Sequence, residues 1–144
     1  MAYSETTIEV RYAETDQMGV VYHANYLAWL EIGRKNFMDD LHLSYYEMEQ
    51  EGYFMPVLDV SLHYVSPLRY GQNAVVRTWL KGYDGIRTIY GYEVRIEKTG
   101  HIALIGETKH ACVRKDNFKP VAMRRVLKKW DNKYQELIKA GSEG

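Results

Sequence analysis

The sequence predicts an α+β domain in which helices cover one face of an antiparallel sheet. Two features of the sequence predict this class. Four strand-like runs follow one another after residue 57 and are joined by turns that contain glycine, as in an antiparallel meander. Residues 24–41 have apolar side chains at helical spacing round most of the circumference, so this helix needs cover on most sides. A strongly curved sheet of about five strands, wrapped round the helix, would provide that cover.

The first strand and the long helix are separated by a loop. Residues 7–12 alternate between polar and apolar side chains, and this period of two predicts a strand with one buried face. Residues 13–21 have no helical period and are predicted to form the loop. In the helix that follows, Glu31 and Lys35 are spaced for an ion pair on the narrow polar stripe.

The remaining elements follow from similar patterns. Ser44 as N-cap, with Glu47 three residues later, predicts a short helix from Ser44 to Glu51 with a capping box, and Gly52 would end it. The strand-like runs are residues 58–64, 74–81, 90–96 and 102–115. Apolar residues at helical spacing predict an amphipathic helix at the end of the chain: Met123, Leu127, Trp130, Tyr134 and Leu137.

Composition narrows the class of protein. The length of 144 residues predicts a single domain over residues 1–144, and 19 basic residues balance 19 acidic ones, which argues against a general nucleic-acid binder. The single cysteine, Cys112, excludes a disulfide within one chain and a multi-cysteine zinc site. The chain has no basic and apolar leader and no run of 18 apolar residues, so we expect a cytoplasmic protein without a membrane span.

The segment from Tyr12 to Glu31 combines a carboxylate with the start of the long helix. Asp16 precedes a helical first turn whose backbone N–H groups are free and carry a partial positive charge. Such N–H groups can polarise a carbonyl, and Gly19 would let the chain turn and a ligand approach closely. This arrangement suits acyl transfer in which Asp16 attacks or activates water. Judged on spacing alone, however, a loop or capping aspartate without chemistry is the commoner case.

The stretch from Asp16 to Tyr26 resembles a known signature. It reads Asp-Gln-Met-Gly-Val-Val-Tyr-His-Ala-Asn-Tyr and is similar to the motif of the 4-hydroxybenzoyl-CoA thioesterase-like branch of hotdog-fold acyl-CoA thioesterases. The resemblance implies a hotdog fold, with the curved sheet wrapped round the long helix. It also implies a coenzyme A thioester as substrate, no metal or redox cofactor, and a homodimer or homotetramer with the active site at the subunit interface.

The resemblance assigns roles to individual residues. Asp16 matches the catalytic aspartate, and His23 lies where a helix N–H contacts the thioester carbonyl. The His23 side chain would position water, orient Asp16 or protonate the leaving thiolate; in the alternative, only its backbone N–H matters. Tyr22 and Tyr26 would line the helix core or the acyl pocket. The residues predicted to bind the substrate are Gly19, Tyr22, Asn25, Tyr26 and Ser66.

Several of these assignments have simpler alternatives. Asn25 would cap the helix or hydrogen-bond the loop, and Ser66 would belong to an ordinary turn. Arg69 and Arg87 are candidates for binding the coenzyme A phosphates. The seven basic residues between positions 119 and 139 are a further candidate for this role or for an acidic partner, and a solvated helix face is the simpler explanation.

Two other groups of residues, a Cys–His pair and the histidines, do not predict a functional site. His110 and Cys112 lie two residues apart on a predicted strand and therefore share a face. A Cys–His nucleophilic pair is conceivable there, but a buried thiol beside a hydrogen-bonded histidine is the commoner arrangement. The five histidines show no spacing typical of metal ligands, so no metal site is predicted.

These patterns together predict an acyl-CoA thioesterase that releases a carboxylic acid and coenzyme A, with Asp16 as nucleophile or general base. Two alternatives remain open: a hotdog protein that binds acyl-CoA without catalysis, and a thioesterase that acts on acyl-carrier-protein thioesters. Hotdog dehydratases are disfavoured because their histidine loop motif with repeated Gly-Pro elements is absent. Acyl-chain length and aromatic character are not encoded in these patterns.

Overall fold

The computed structural model describes residues 2–143, with side chains described up to residue 141. The strands are β1 (Tyr3–Glu9), β2 (Tyr53–Phe54), β3 (Val57–Tyr64), β4 (Asn73–Tyr83), β5 (Arg87–Ile96), β6 (Ile102–Ala111) and β7 (Val113–Arg114). The helices are α1 (Tyr26–Asp40), α2 (Tyr45–Gln50), α3 (Met123–Val126) and α4 (Lys128–Glu143). Two 3₁₀ turns, Tyr12–Glu14 and His23–Asn25, lie between β1 and α1.

The main sheet has five antiparallel strands in the order β1-β4-β5-β6-β3, as predicted in number and direction. The predicted meander holds for β4, β5 and β6, but it is wrong for β3, which pairs with β6 at the far edge instead of with β4. Loop length explains the difference. Residues 84–86 and 97–101 are short enough for hairpins, whereas residues 65–72 are long enough to cross the end of the sheet.

Helices α1 and α4 cover the same face of the sheet. Tyr90 on β5 contacts Phe37 of α1 and Tyr134 of α4, with ring centroids 6.3 Å and 6.1 Å apart. Alternate residues of β4 and β5 are buried against these helices, which is the period of two that the sequence predicts. The predicted C-terminal helix is interrupted at Leu127, between α3 and α4. None of the helices within residues 2–143 is both long and apolar enough to cross a membrane.

Two local predictions are confirmed and one is wrong. The Ser44 hydroxyl accepts the Glu47 N–H at 3.3 Å as the predicted N-cap, without the return hydrogen bond of a capping box among the described residues, and Gly52, with φ of +100°, follows the end of α2. The first strand ends at Glu9, earlier than predicted, because the chain enters the 3₁₀ turn Tyr12–Glu14. Tyr12 therefore leaves the sheet and is 77% exposed.

Helix α1 is covered on only one side within a single chain. Its buried side chains face the sheet, but Leu27 and Ile32 are 41% and 49% exposed. The predicted ion pair between Glu31 and Lys35 is not formed, because Lys35 binds Asp39 at 2.9 Å instead. The sequence predicts a helix that is covered on most sides, but a single chain leaves some of its apolar side chains exposed.

Helix α1 approaches β4 closely at Gly33. A Cβ atom there would lie 2.7 Å from both Thr78 Oγ1 and Val76 Cγ1. We expect Gly33→Ala to lower the free energy of unfolding by about 1–3 kcal/mol through overpacking, although alanine favours a helix. Chemical denaturation tests this against Gly141→Ala, where a Cβ meets no atom within 4 Å and no loss is expected. Equal effects of the two substitutions would contradict the close approach.

Candidate active site

Asp16 lies in a tight turn that fixes its carboxylate. The Asp16 N–H donates to the Val20 carbonyl, and the Gly19 N–H donates to the Asp16 carbonyl, both at 2.9 Å. Carboxylate oxygen Oδ1 accepts the Met18 N–H at 2.9 Å. Gly19 has φ of +76°, a backbone conformation that glycine adopts without strain. The turn thus orients the half-buried carboxylate through one oxygen and leaves Oδ2 to act on a ligand.

The loop around Asp16 is anchored by Glu14, which the sequence patterns did not single out. Glu14 is 7% exposed; its side chain accepts hydrogen bonds from the Arg11 N–H and the Trp29 indole N–H, both at 2.8 Å. Its carbonyl accepts the Tyr22 N–H at 2.9 Å and the Asn25 side-chain amide at 2.8 Å. Burial alone would raise the pKa of Glu14, but the hydrogen bonds from Arg11 and Trp29 outweigh it and lower the pKa. A charged carboxylate therefore ties the Asp16 loop to α1.

The start of the helix presents free backbone donors. The chain enters α1 through the 3₁₀ turn His23–Asn25, in which the Asn25 N–H donates to the Tyr22 carbonyl at 2.9 Å. The N–H groups of His23 and Ala24 make no backbone hydrogen bond within residues 2–143. These two donors are therefore available to a ligand atom at the positive end of the helix dipole.

A pocket of about 280 Å³ brings the aspartate and the helix start together. Asp16 and His23 lie on its wall with Tyr26, Tyr64 and Ser66, and the other lining residues are Met18, Val20, Val21, Val65 and Pro67. Most of this lining is apolar. The pocket can therefore hold an apolar group beside the Asp16 carboxylate and His23, the first residue of the turn that enters α1.

Tyr64 is a second site residue that the sequence patterns left unassigned. It ends β3, and its hydroxyl donates to the His23 carbonyl at 2.8 Å. Its ring contacts the rings of His23 and Tyr26, at 6.4 Å and 5.7 Å between centroids. Partial burial raises the pKa of Tyr64, so its hydroxyl keeps its proton at neutral pH. In the sequence it is only the last member of an alternating run.

The predicted substrate-binding residues divide into two groups. Tyr26 and Ser66 line the pocket, although the Ser66 hydroxyl donates to the Ile102 carbonyl at 2.6 Å. Tyr22 lies outside the lining with its ring 4.4 Å from that of His23, and Asn25 holds the loop through Glu14. Gly19 serves the turn with its positive φ, a Cβ there would meet no atom of the chain within 4 Å, and the close approach of a ligand at this position stays a prediction.

The two arginines predicted to bind phosphates lie at opposite ends of the sheet. Arg69 forms a bridge with Val20 beside the pocket. Arg87 pairs with Ala111, whereas the pocket residue Tyr64 pairs with Leu104 on the same strand β6. That separation along β6 is roughly 24 Å. Within one chain, Arg87 is therefore remote from the pocket.

His110 and Cys112 do not form a reactive pair. The His110 ring nitrogens lie 2.8 Å from Thr108 Oγ1 and 3.4 Å from the Met55 carbonyl oxygen. Burial raises the pKa of the Cys112 thiol to about 11, which removes the thiolate at neutral pH. Among the described residues, no group of three or more His, Cys, Asp or Glu side chains is arranged to hold a metal ion.

Comparison with known proteins identifies the family. The family model of the Thioesterase-like superfamily matches residues 10–130. A Bacillus subtilis protein with the provisional name acyl-CoA thioesterase YneP is 45% identical over 139 residues, or 96% of this chain and 100% of its own. A solved structure described as DHNA-CoA thioesterase from Staphylococcus aureus is 40% identical with a TM-score of 0.96, over 100% of this chain and 96% of its own.

A more distant relative has a different named substrate. The chloroplastic acyl-acyl carrier protein thioesterase ATL2 of Arabidopsis thaliana is 30% identical over 92% of this chain and 70% of its own. All three relatives are named as thioesterases. The chain belongs to the Thioesterase-like superfamily. The predicted hotdog fold and the predicted activity class, a thioesterase, are both confirmed, and the non-catalytic alternative is set aside.

The position of Glu14 leads to a prediction about turnover. Glu14→Gln keeps the side-chain volume but places an amide donor against the Trp29 or Arg11 donors, so the loop that carries Asp16 should loosen. We expect a loss of about 1–3 kcal/mol in unfolding free energy. The kcat should fall about 10- to 100-fold with little change in KM, because the variant would misplace Asp16, the reacting group expected from the sequence, and such a displacement affects turnover more than binding. Steady-state kinetics with Glu49→Gln, an exposed glutamate on α2, as control would test this; an unchanged kcat would contradict it.

Proposed function

We propose that the protein hydrolyses acyl-CoA thioesters to a carboxylic acid and coenzyme A, with Asp16 and the start of α1 as the reacting centre. The observation that carries this proposal is the shared pocket, which both Asp16 and His23 line. The names of the Bacillus subtilis and Staphylococcus aureus relatives support a coenzyme A thioester as substrate.

In the proposed mechanism the thioester carbonyl oxygen accepts hydrogen bonds from the His23 and Ala24 N–H groups. These donors stabilise the negative charge that develops on that oxygen when the carbonyl carbon is attacked. Asp16 either attacks the carbon through Oδ2 or removes a proton from an attacking water. The carbon–sulfur bond then breaks and the thiolate of coenzyme A leaves. If Asp16 has attacked, water hydrolyses the acyl–aspartate anhydride in a second step.

His23 has two possible contributions in this scheme. Its backbone N–H binds the carbonyl oxygen, and its side chain protonates the leaving thiolate or positions water. The carbonyl of His23 accepts the Tyr64 hydroxyl at 2.8 Å, which fixes the backbone at the first donor of the helix. Tyr64 therefore acts as a positioning residue for the oxygen-binding N–H groups.

The protein is further proposed to work as a homodimer or homotetramer with the pocket at the subunit interface. Strand β3 is an edge strand with seven of its eight residues exposed, and its last residue, Tyr64, lines the pocket. Exposed apolar edge strands are rarely left open in solution, because their backbone groups pair readily with another chain. A second subunit on β3 would extend the pocket wall beyond Tyr64 and Val65.

An acyl-carrier-protein thioester is the second candidate substrate. The Arabidopsis relative is named for such a substrate, and four exposed basic residues surround the break between α3 and α4: Arg124, Arg125, Lys128 and Lys129. Such a basic cluster is suited to an acidic partner protein. The higher identity to relatives named for coenzyme A thioesters favours the first candidate.

The test is thiol release from a panel of thioesters by the wild-type protein. The panel contains short, long and aromatic acyl-CoA esters, including 1,4-dihydroxy-2-naphthoyl-CoA, and the same acyl groups on an acyl carrier protein. We expect turnover of at least one coenzyme A ester. Turnover confined to the carrier-protein esters would favour the second candidate, and no turnover on either set would contradict both.

A further inference from the structure

Arg34 on α1 is a buried cation without an anion. It is 9% exposed, and its Nε and Nη1 donate to the hydroxyls of Tyr45 and Tyr92 at 3.2 Å and 3.0 Å. Among the side chains described, up to residue 141, no carboxylate lies within 4.0 Å of its guanidinium group. Buried charges in proteins are normally paired, because a lone one loses its hydration without compensation.

The groups behind Arg34 are neutral and do not balance its charge. Tyr92 Oη lies 2.7 Å from Thr108 Oγ1, which lies 2.8 Å from His110 Nε2. Burial raises the pKa of Tyr45 to about 12 and lowers that of His110 to about 4, so both are uncharged at neutral pH. Burial by itself would lower the pKa of Arg34, but the interactions of its guanidinium group with Tyr92 and Tyr45 outweigh burial and raise the pKa. The positive charge therefore persists, held by two hydroxyl groups and without a carboxylate within 4.0 Å among the described side chains.

Glu31 is a carboxylate on the same side of α1 without a cation. It precedes Arg34 by three residues, is exposed, and forms no ion pair within the described side chains, because Lys35 binds Asp39. Glu31 and Arg34 both act electrostatically on Tyr45 and Tyr92, so both face this region of the fold. One helix side thus presents an unpaired anion next to an unpaired cation.

The surface around this pair is apolar and open. Leu27 on α1 is 41% exposed, and Leu58, Val60 and Tyr64 on β3 are 58%, 40% and 46% exposed. The ring contact between Tyr64 and Tyr26 shows that this side of β3 faces α1. An exposed apolar patch beside an open edge strand is typical of a protein–protein interface.

We propose that a second copy of the chain covers this face and that Glu31 of each subunit forms an ion pair with Arg34 of the other. A two-fold interface repeats every contact, so a face with one anion and one cation is complementary to itself. Glu31 and Arg34 lie two residues before and one residue after Gly33, the midpoint of α1. Two antiparallel α1 helices that meet at their midpoints would therefore bring each glutamate near the opposite arginine.

This inference rests on the homodimer in the proposed function and goes beyond it by naming the charges that set the register. The apolar side chains supply most of the buried area, whereas the reciprocal ion pairs select the two-fold arrangement. Removing one partner would leave the other charge buried and unpaired, which is costly. The dimer dissociation constant should therefore depend on both charges.

The test uses two charge reversals, alone and mixed. Glu31→Lys and Arg34→Glu should each raise the dissociation constant about 10-fold or more, because each homodimer would contain two like-charge contacts. An equimolar mixture should recover a tight heterodimer, since both of its contacts are then between opposite charges. Analytical ultracentrifugation gives the dissociation constants, and native mass spectrometry identifies the heterodimer. Lys98→Glu, in the exposed turn between β5 and β6, is the control and should leave the constant unchanged.

Arg34→Glu places a carboxylate among buried tyrosines and can prevent folding, so Arg34→Met serves as a second partner for Glu31→Lys. In the heterodimer of Glu31→Lys with Arg34→Met, one contact is neutral and the other is the ion pair between Glu31 and Arg34. This heterodimer should therefore be tighter than the Glu31→Lys homodimer, in which both contacts are repulsive. A wild-type dissociation constant for Glu31→Lys would overturn the ion pair while leaving the homodimer and the hydrolase proposal intact. A mixture that recovers nothing would overturn pairing between subunits, and a monomeric wild type would overturn the homodimer itself.

Discussion

Asp16→Asn is expected to lower kcat about 10²–10⁴-fold, the range lost when a general acid or base is removed. Asparagine keeps the volume of the side chain, and its Oδ1 can still accept the Met18 N–H, so the turn at Gly19 should remain. The amide lacks the charge and basicity that both versions of the mechanism require. Fold and oligomeric state should therefore match those of the wild type.

The measurement is steady-state thiol release on the best substrate of the panel. Asp116→Asn, an exposed aspartate that follows β7, is the matched control and should keep wild-type turnover. Circular dichroism and light scattering establish that Asp16→Asn is folded and has the same mass. Turnover by Asp16→Asn within a few-fold of wild type would contradict a chemical role for this carboxylate.

A single-turnover experiment separates the two roles of Asp16. If Asp16 attacks the carbonyl carbon, an acyl–aspartate anhydride forms before water enters. Rapid acid quenching with enzyme in excess, followed by peptide mass analysis, should then show the acyl group on the peptide that contains Asp16. If Asp16 acts as a general base, the acyl group appears only in the free acid and the peptide keeps its mass.

The residues of the candidate site that could be predicted from the sequence are those that lie close together along the chain. Asp16, His23 and Tyr26 lie within eleven consecutive residues, and one turn followed by one helix start brings them to one pocket. Glu14 and Tyr64 were not predictable in this way. Their roles depend on contacts with Trp29 and with the His23 carbonyl, which arise only when distant segments pack together.

The same distinction holds for the fold. Periodicity within each segment predicts the strands and helices, because the burial of alternate or i,i+4 side chains is a local property. The position of β3 beside β6 is a long-range property, and only the length of residues 65–72 indicated it. Helix α1 differs from both. Its apolar residues predict burial on most sides, but one chain leaves some of them exposed, as expected for a helix that lies at an interface.

The buried His110 should make stability depend on pH above the range in which carboxylates titrate. Burial, assisted by the positive charge of Arg34 and opposed by the Met55 carbonyl, lowers the pKa of His110 from 6.5 to about 4. As the pH falls below 6.5, the unfolded chain binds a proton that the folded chain rejects. The stability contributed by neutral His110 is therefore complete above pH 6.5 and is lost progressively as the pH falls towards about 4. At a pH about 1.5 units below 6.5, the loss is about 2 kcal/mol.

This loss should disappear when the imidazole is replaced. His110→Gln can keep a hydrogen bond to Thr108 but does not titrate, so its unfolding free energy should change about 2 kcal/mol less than that of wild type between pH 7.5 and pH 5. Urea denaturation at fixed protein concentration measures the difference, with His101→Gln in the exposed turn after β5 as control. Parallel pH profiles for wild type and His110→Gln would contradict the buried neutral histidine.

Arg34 links this pH dependence to the proposed interface. Its guanidinium contributes to the low pKa of His110 through the positive field that also acts on Tyr92. Arg34→Met should therefore raise the pKa of His110 and shorten the pH range over which stability is lost. An anion paired with Arg34 acts in the same direction, because it offsets the guanidinium charge. Glu31→Gln should then lower the pKa of His110 in the dimer, whereas it should have a smaller effect in diluted monomers; equal effects in both states would indicate that Glu31 acts on its own chain.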